Sequence, residues 1–135
     1  MTIERYEDIQ FGDELGDFTP DVSMAAVVRF TEAAQMNFSR FTDHEEARKS
    51  GLPGAIVPGI MSQGILAAMI HRWAPKAEIL RIDTIFRAPL VVDSKPRGRG
   101  VVTDLDNEAK VVEVDVTLSN EADETRVLGT ARVKL

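Results

Sequence analysis

Residues 58–74 read PGIMSQGILAAMIHRWA. Pro58 suits a first helical turn, where its missing N–H would have no partner in any case, and Pro75 ends the run. Between them Ile60, Met61, Ile65, Leu66, Ala68, Met69, Ile70 and Trp73 leave no wide polar face. A helix that is apolar nearly all round is expected to be buried centrally. Downstream the period changes from helical spacing to two. In AEILRIDTIFRAPL (77–90), Leu80, Ile82, Thr84, Phe86 and Ala88 share one face, and Arg81, Asp83 and Arg87 share the other. In KVVEVDVTL (110–118), Val112, Val114, Val116 and Leu118 oppose Glu113, Asp115 and Thr117. In the last segment Val127, Gly129, Ala131, Val133 and Leu135 alternate with Arg126, Thr130, Arg132 and Lys134. With residues 97–105 this makes four strands in sequence. Turns at Asp106-Asn107 and at 120–124 predict an antiparallel meander, apolar on one side and wet on the other. The expected class is α+β, a central buried helix wrapped by an antiparallel sheet. Periodicity alone fits other α+β arrangements equally well.

Upstream, residues 3–17 read as an extended segment with turns at Phe11-Gly12-Asp13 and Leu15-Gly16-Asp17, closed by Pro20. Ser23 is placed to cap a helix in which Met24, Val27, Val28, Thr31 and Ala34 form one buried face. That helix is expected to end at Gln35 or Met36. Phe38 to Thr42 reads as a loop. Asp43 with Glu46 three residues on resembles a capping box and starts a short helix over 44–50, which Gly51 and Pro53 stop. Residues 52–57 are a connection punctuated by Pro53, Gly54 and Pro58.

The 135 residues, 44% of them hydrophobic, suit a single domain over 1–135. No cysteine is present, which removes disulfides, thiolate metal sites and a cysteine nucleophile together. The net charge of −6 makes nucleic acid a poor partner, since phosphate contacts need clustered Lys and Arg. The polar start MTIERYEDIQ has no signal-peptide core, and the longest apolar stretch, from Val57 to Trp73, is shorter than the ~20 residues of a membrane span. A cytoplasmic location without membrane contact is expected.

The segment FTEAAQMNFSRFTDHEEARKSGLPGAIVPGIM (30–61) combines a helix end, the Asp43–Ala47 helix start, the Gly51 break and the Pro58-Gly59 pair at one fixed spacing, and FRAP follows at 86–89. In these features the chain resembles the MaoC-like dehydratases and (R)-specific enoyl-CoA hydratases. There a helix ends in Asp, an Asn-Pro-x-His loop follows, a His-Gly opens the central helix, and a later strand carries Phe-Arg-x-Pro. The resemblance implies a hot-dog fold and an acyl thioester, such as acyl-CoA, as substrate or ligand, with no metal or other cofactor. It also implies paired domains, as a homodimer or as a heteromer with a second MaoC-like chain, with pockets at the interface.

The departures from that pattern bear on the chemistry. In the ungapped register the family's catalytic Asp falls on Met36 and its catalytic His on Phe41. The His before the helix-opening glycine is Pro58, and the Asn and Pro of the loop become Phe38 and Ser39. Hydration of an enoyl thioester needs a base for water and a proton donor for the α-carbon. Met36 and Phe41 supply neither, and such help is worth roughly 10²–10⁴-fold. Gly59 remains: in the family, the amide at this helix start binds the thioester carbonyl oxygen, which suits the positive end of a helix.

Several residues carry a sharper and a plainer reading. His44, oriented by Asp43, is a candidate relocated catalytic pair; the plainer reading makes Asp43 a cap and His44 an exposed first-turn residue. His71 is either a site residue or a cation at a helix end. Asn37, Ser39 and Arg40 lie in the loop that forms the pocket lip in relatives, where Arg40 can meet a CoA phosphate. Ser62 either lines the pocket or bonds back to its helix. Gly59 and Gly64 either open the site or allow close packing. Arg81, Asp83 and Arg87 read first as a surface ion-pair row, with a phosphate-facing Arg87 as the sharper version. Met61 and Met69 read as core fillers. Three functions follow: a MaoC-like acyl-thioester-binding subunit, weakly active or inactive alone; an active hydratase or dehydratase with displaced groups; or a hot-dog thioesterase.

Overall fold

A computed structural model describes residues 2–135. Four helices come first: α1 (Met24–Ala33), α2 (Ser39–Thr42), α3 (His44–Lys49) and α4 (Gly59–Trp73). Four strands follow: β1 (Glu78–Phe86), β2 (Arg97–Asp106), β3 (Val111–Ser119) and β4 (Thr125–Lys134). All pairings are antiparallel, in the order β1-β4-β3-β2.

Helix α4 lies on the inner face of this sheet. Leu66, Met69, Ile70 and Trp73 are buried there with Val112, Val114, Val116, Leu118, Ala131 and Val133 from β3 and β4. The inner strand positions are those the period-two pattern assigns. Each fully buried Val, Leu or Ile side chain is worth about 1.5–3 kcal/mol relative to exposure, so this interface dominates the stability of the fold.

Four expectations change. First, β2, β3 and β4 form the meander, but β1 pairs with β4, the last strand, and not with β2. The connection from 87 to 96 crosses between the sheet's ends and carries Pro89 and Pro96, which cannot donate to a ladder. Second, α4 is not covered all round. Ile60 is 60% exposed, and Gly64, Ala68 and His71 lie on the same open side. Third, residues 39–42 are a helical turn and not a loop. Fourth, the β1–β4 register shifts between Ile79 and Arg81. This bulge takes Leu80 out of the inward row, and Ile79 opposite Val133 takes its place, while Ile82 and Thr84 stay inward as expected.

The two sheet edges are treated differently. Residues 12–18 run along β2 with backbone bonds from Gly12 to Val102, Leu15 to Gly100 and Gly98 to Phe18. That edge is satisfied from within the chain. The β1 edge has no strand beside it among the described residues, and Leu80, Ile85 and Phe86 are 47%, 63% and 51% exposed.

At Gly129 of β4 a Cβ would stand 2.2 Å from the Asp83 carbonyl oxygen of β1, a backbone atom that cannot swing aside. Gly129→Ala is therefore expected to destabilise the chain by at least the roughly 1–3 kcal/mol typical of overpacking. A lowered urea midpoint at unchanged m-value would show it.

Candidate functional site

The site is built at the start of α4. Pro58 provides no side-chain cap, and the first intrahelical bond runs from Ser62 N–H to the Pro58 carbonyl at 3.0 Å. The amides of Gly59, Ile60 and Met61 precede it and present the positive end of a helix 15 residues long. The incoming chain is held on both sides. Ile56 N–H donates to the Arg40 carbonyl (2.9 Å), Val57 N–H to the Leu90 carbonyl (2.8 Å) and Val92 N–H to the Ala55 carbonyl (2.8 Å).

These connections leave a cavity of about 310 Å³, within the usual range for a small-ligand site. Ile56 and Val57 form one wall, Gly59 and Ser62 the helix side, and Phe86 to Leu90 with Val127 the opposite side. Ser62, buried, and Arg87, exposed, are the polar residues of its lining. Ser62 is 2% exposed, and its hydroxyl makes no hydrogen bond among the described residues, the turn-back to the helix carbonyl included. It is a free donor inside the cavity. A Cβ at Gly59 would meet the Phe86 ring at 3.4 Å, an ordinary contact, so packing does not require glycine there; its absence widens the cavity beside the free amides. Gly64 meets nothing within 4 Å and does not serve close helix–sheet packing.

Met36 and Phe41, where the resemblance would put an acid–base pair, are apolar and inward. Phe41 is 5% exposed in the core, and Met36 packs against the same cluster. Gln35 stands at φ 57° just before Met36, whose N–H closes the α1 end on the Thr31 carbonyl at 2.8 Å. Arg40 lies over the Phe38 and Phe41 rings at 5.2 and 4.7 Å, which fixes its guanidinium by cation–π contact. Arg40 and Asn37 are both exposed and stand outside the cavity wall.

His44 and Asp43 are not brought together as an acid–base pair. The Asp43 carboxylate accepts from Glu46 N–H at 3.1 Å and caps α3. The His44 ring accepts from Ala55 N–H at Nδ1 (3.0 Å), so its neutral form carries the proton on Nε2, 2.9 Å from Asp93 Oδ2. Asp93 also accepts from Met24 N–H at 2.8 Å. His44 therefore ties α3, the 53–57 connection and the start of α1 into one knot, outside the cavity wall. Nothing local in the sequence announces this bond, whose partners are 49 residues apart. His71 is likewise occupied, with Nε2 at 3.2 Å from the Ala77 carbonyl. Arg81 pairs with Asp83 at 2.6 Å on the open face, but Arg87 departs from that row and lines the cavity.

The hydrogen bond from His44, and then the Met24 amide, hold the Asp93 carboxyl below the usual aspartate range. A lowered carboxyl pKa contributes stability above the ordinary value, and that contribution is lost as pH falls through the folded value. Asp93→Asn is expected to melt below the parent at pH 7, with the gap closing as pH falls below about 4. Thermal melts across that range would check it; a gap constant with pH would refute the assignment.

No protein-family model matches the sequence, and no curated protein is similar to it. Solved structures match closely in fold. The (R)-hydratase from A. caviae involved in PHA biosynthesis superposes with a TM-score of 0.90 at 17% identity, covering 96% of this chain and 98% of that one. A MaoC-like dehydratase from Rhodospirillum rubrum gives 0.75 at 18% identity, over 94% and 92% of the two chains. A chain of the ChsH1-ChsH2 complex from Mycobacterium tuberculosis gives 0.84 at 18% identity, over 93% and 98%. The chain has the hot-dog fold, which it shares with these structures.

Proposed function

We propose that this chain is a MaoC-like acyl-thioester-binding subunit, of the (R)-enoyl-CoA hydratase and dehydratase kind, that lacks its own acid–base pair and works beside a second MaoC-like chain. The observation that carries this reading is the one-sided chemistry of the cavity. Its lining includes Gly59 at the start of α4, the buried Ser62 and the exposed Arg87, but no carboxylate and no imidazole. Donors of this kind polarise a thioester carbonyl and stabilise the enolate that forms from it. They do not take a proton from water. With Met36 and Phe41 in the core, a base has to come from outside the chain.

The uncovered β1 edge supports a neighbour that supplies it. Two edge strands that meet satisfy each other's backbone groups, and the exposed Leu80, Ile85 and Phe86 flank that edge with Ile60 nearby on α4. One fold relative is a chain of the ChsH1-ChsH2 complex. For this chain, a homodimer would double a baseless site, whereas a heteromer would complete it. The cytoplasm is the proposed compartment. Among the described residues no helix is long and apolar enough to cross a membrane.

The test is an enoyl-CoA hydration assay on the purified chain, alone and with its co-purifying partner. The chain alone is expected to bind crotonyl-CoA while turning it over at least about 100-fold more slowly than the pair. Full hydration by the isolated chain would overturn the reading in favour of displaced catalytic groups. Release of free CoA would overturn it in favour of a thioesterase.

A further inference from the structure

The two histidines of the chain are hydrogen-bonded in opposite senses. A carbonyl can only accept, so His71 donates from Nε2 to the Ala77 carbonyl, and a second proton on its ring leaves that bond in place. A backbone N–H can only donate, so His44 accepts from Ala55 at Nδ1 and donates from Nε2 to Asp93. A second proton on this ring goes to Nδ1. It turns the acceptor of the Ala55 amide into a donor, and two N–H groups then face each other.

The surroundings decide which side gives way. Ala55 is fully buried, so its N–H has no water to turn to in place of the ring, and a buried donor without an acceptor is costly. The ring rests against the connection itself: a Cβ on Gly54 would stand 2.9 Å from Nδ1. On its other side the ring is held by Asp93 at 2.9 Å, and an imidazolium is held there more strongly than a neutral ring. The His44 bond, and then the Met24 amide, keep the Asp93 carboxyl below the usual aspartate range, so it stays charged where imidazoles titrate. The nearby charges are Asp43, Glu45, Glu46 and Arg48 on the same short helix or its cap, and Asp21 and Lys95, which share a cleft with Asp93. The 53–57 connection carries no charged side chain. Among side chains of these types only imidazole ordinarily changes charge between pH 5 and 8. The ring is 27% exposed, so solvent protons reach it.

Ala55 leads directly into Ile56 and Val57, which form one wall of the cavity. We propose that His44 is a proton-operated latch on this wall. The neutral ring holds the Ala55 amide; the protonated ring stays with Asp93 and releases the 53–57 connection, which loosens the wall in mildly acid solution. The bonds from Ile56 to Arg40, Val57 to Leu90 and Val92 to Ala55 remain, so the change is local. The latch does not depend on what the cavity binds; its effect on a ligand rests on the thioester reading above.

NMR on the full chain between pH 8 and 5 tests this. Ring protonation is read from the carbon-bound protons of His44, and release from the exchange of the Ala55 amide, corrected for the chemical pH dependence of exchange. In the parent, Ala55 protection is expected to fall at least about tenfold as the His44 ring titrates. His71 is the internal control, since its titration has no amide to release. His44→Asn offers an acceptor that takes no proton and is expected to keep Ala55 protected throughout. If that variant does not fold, the parent still decides, because its Ala55 exchange either follows the ring or does not. Protection that is unchanged through the ring's titration overturns the proposal, as does a ring that takes no proton down to pH 5, or a pH response that persists in His44→Asn. Crotonyl-CoA affinity is expected to fall over the same range in the parent and not in His44→Asn; affinity that ignores a released Ala55 removes the wall from the proposal. Absence of binding already at pH 8 counts against the thioester reading and leaves the latch to the exchange data.

Discussion

The packing of α4 on the inner face of the sheet is the contact on which the other features depend. Leu66, Met69, Ile70 and Trp73 meet rows of valines from β3 and β4, and the sheet has no other broad apolar surface to bury. The same contact fixes where the helix begins. Because α4 must lie along the sheet, its first residues come out beside the 86–90 segment, with Gly59 and Ser62 lining the cavity and Ile60 exposed. The site is thus a consequence of the core: the buried middle of the helix holds the polar end in place.

Edge management follows from the same arrangement. The N-terminal segment covers β2, so one side of the sheet is finished within the chain. The β1 side is open, and the open strip of α4 lies at Ile60, Gly64 and Ala68. Small or apolar residues on an exposed helix face suit close approach by another surface. Phe86, which lines the cavity, and Ile60, next to Gly59, are part of the exposed apolar area on this side.

The cavity lining has Ser62 and Arg87 as its polar residues, while three side chains with basic groups are occupied elsewhere: Asp43 in a helix cap, His44 between Ala55 and Asp93, and His71 on the Ala77 carbonyl. A histidine with both ring nitrogens engaged is a clamp, and here it holds the 53–57 connection that leads into the site.

The sequence by itself determined the elements and their inward faces. The apolar run of 58–74, the period-two strands, the Ser23 and Asp43 caps and the Gly51 break are local signals, because capping and alternation act over a few residues. The replaced positions at Met36 and Phe41 were equally legible, since they follow from residue identity alone. Tertiary structure decided the rest. The pairing of β1 with β4, the bulge at Leu80 and the open side of α4 depend on which strand lies next to which, and alternation within one strand carries no record of that. The same holds for His44. Its hydrogen-bonding groups are visible in the sequence, but its partners are 11 and 49 residues away, and only the folded chain brings Ala55 and Asp93 to it. Arg87 reads as one more charge in a surface row; it stays exposed, and only the placement of the β1 end beside α4, set by the core, puts it in the cavity lining.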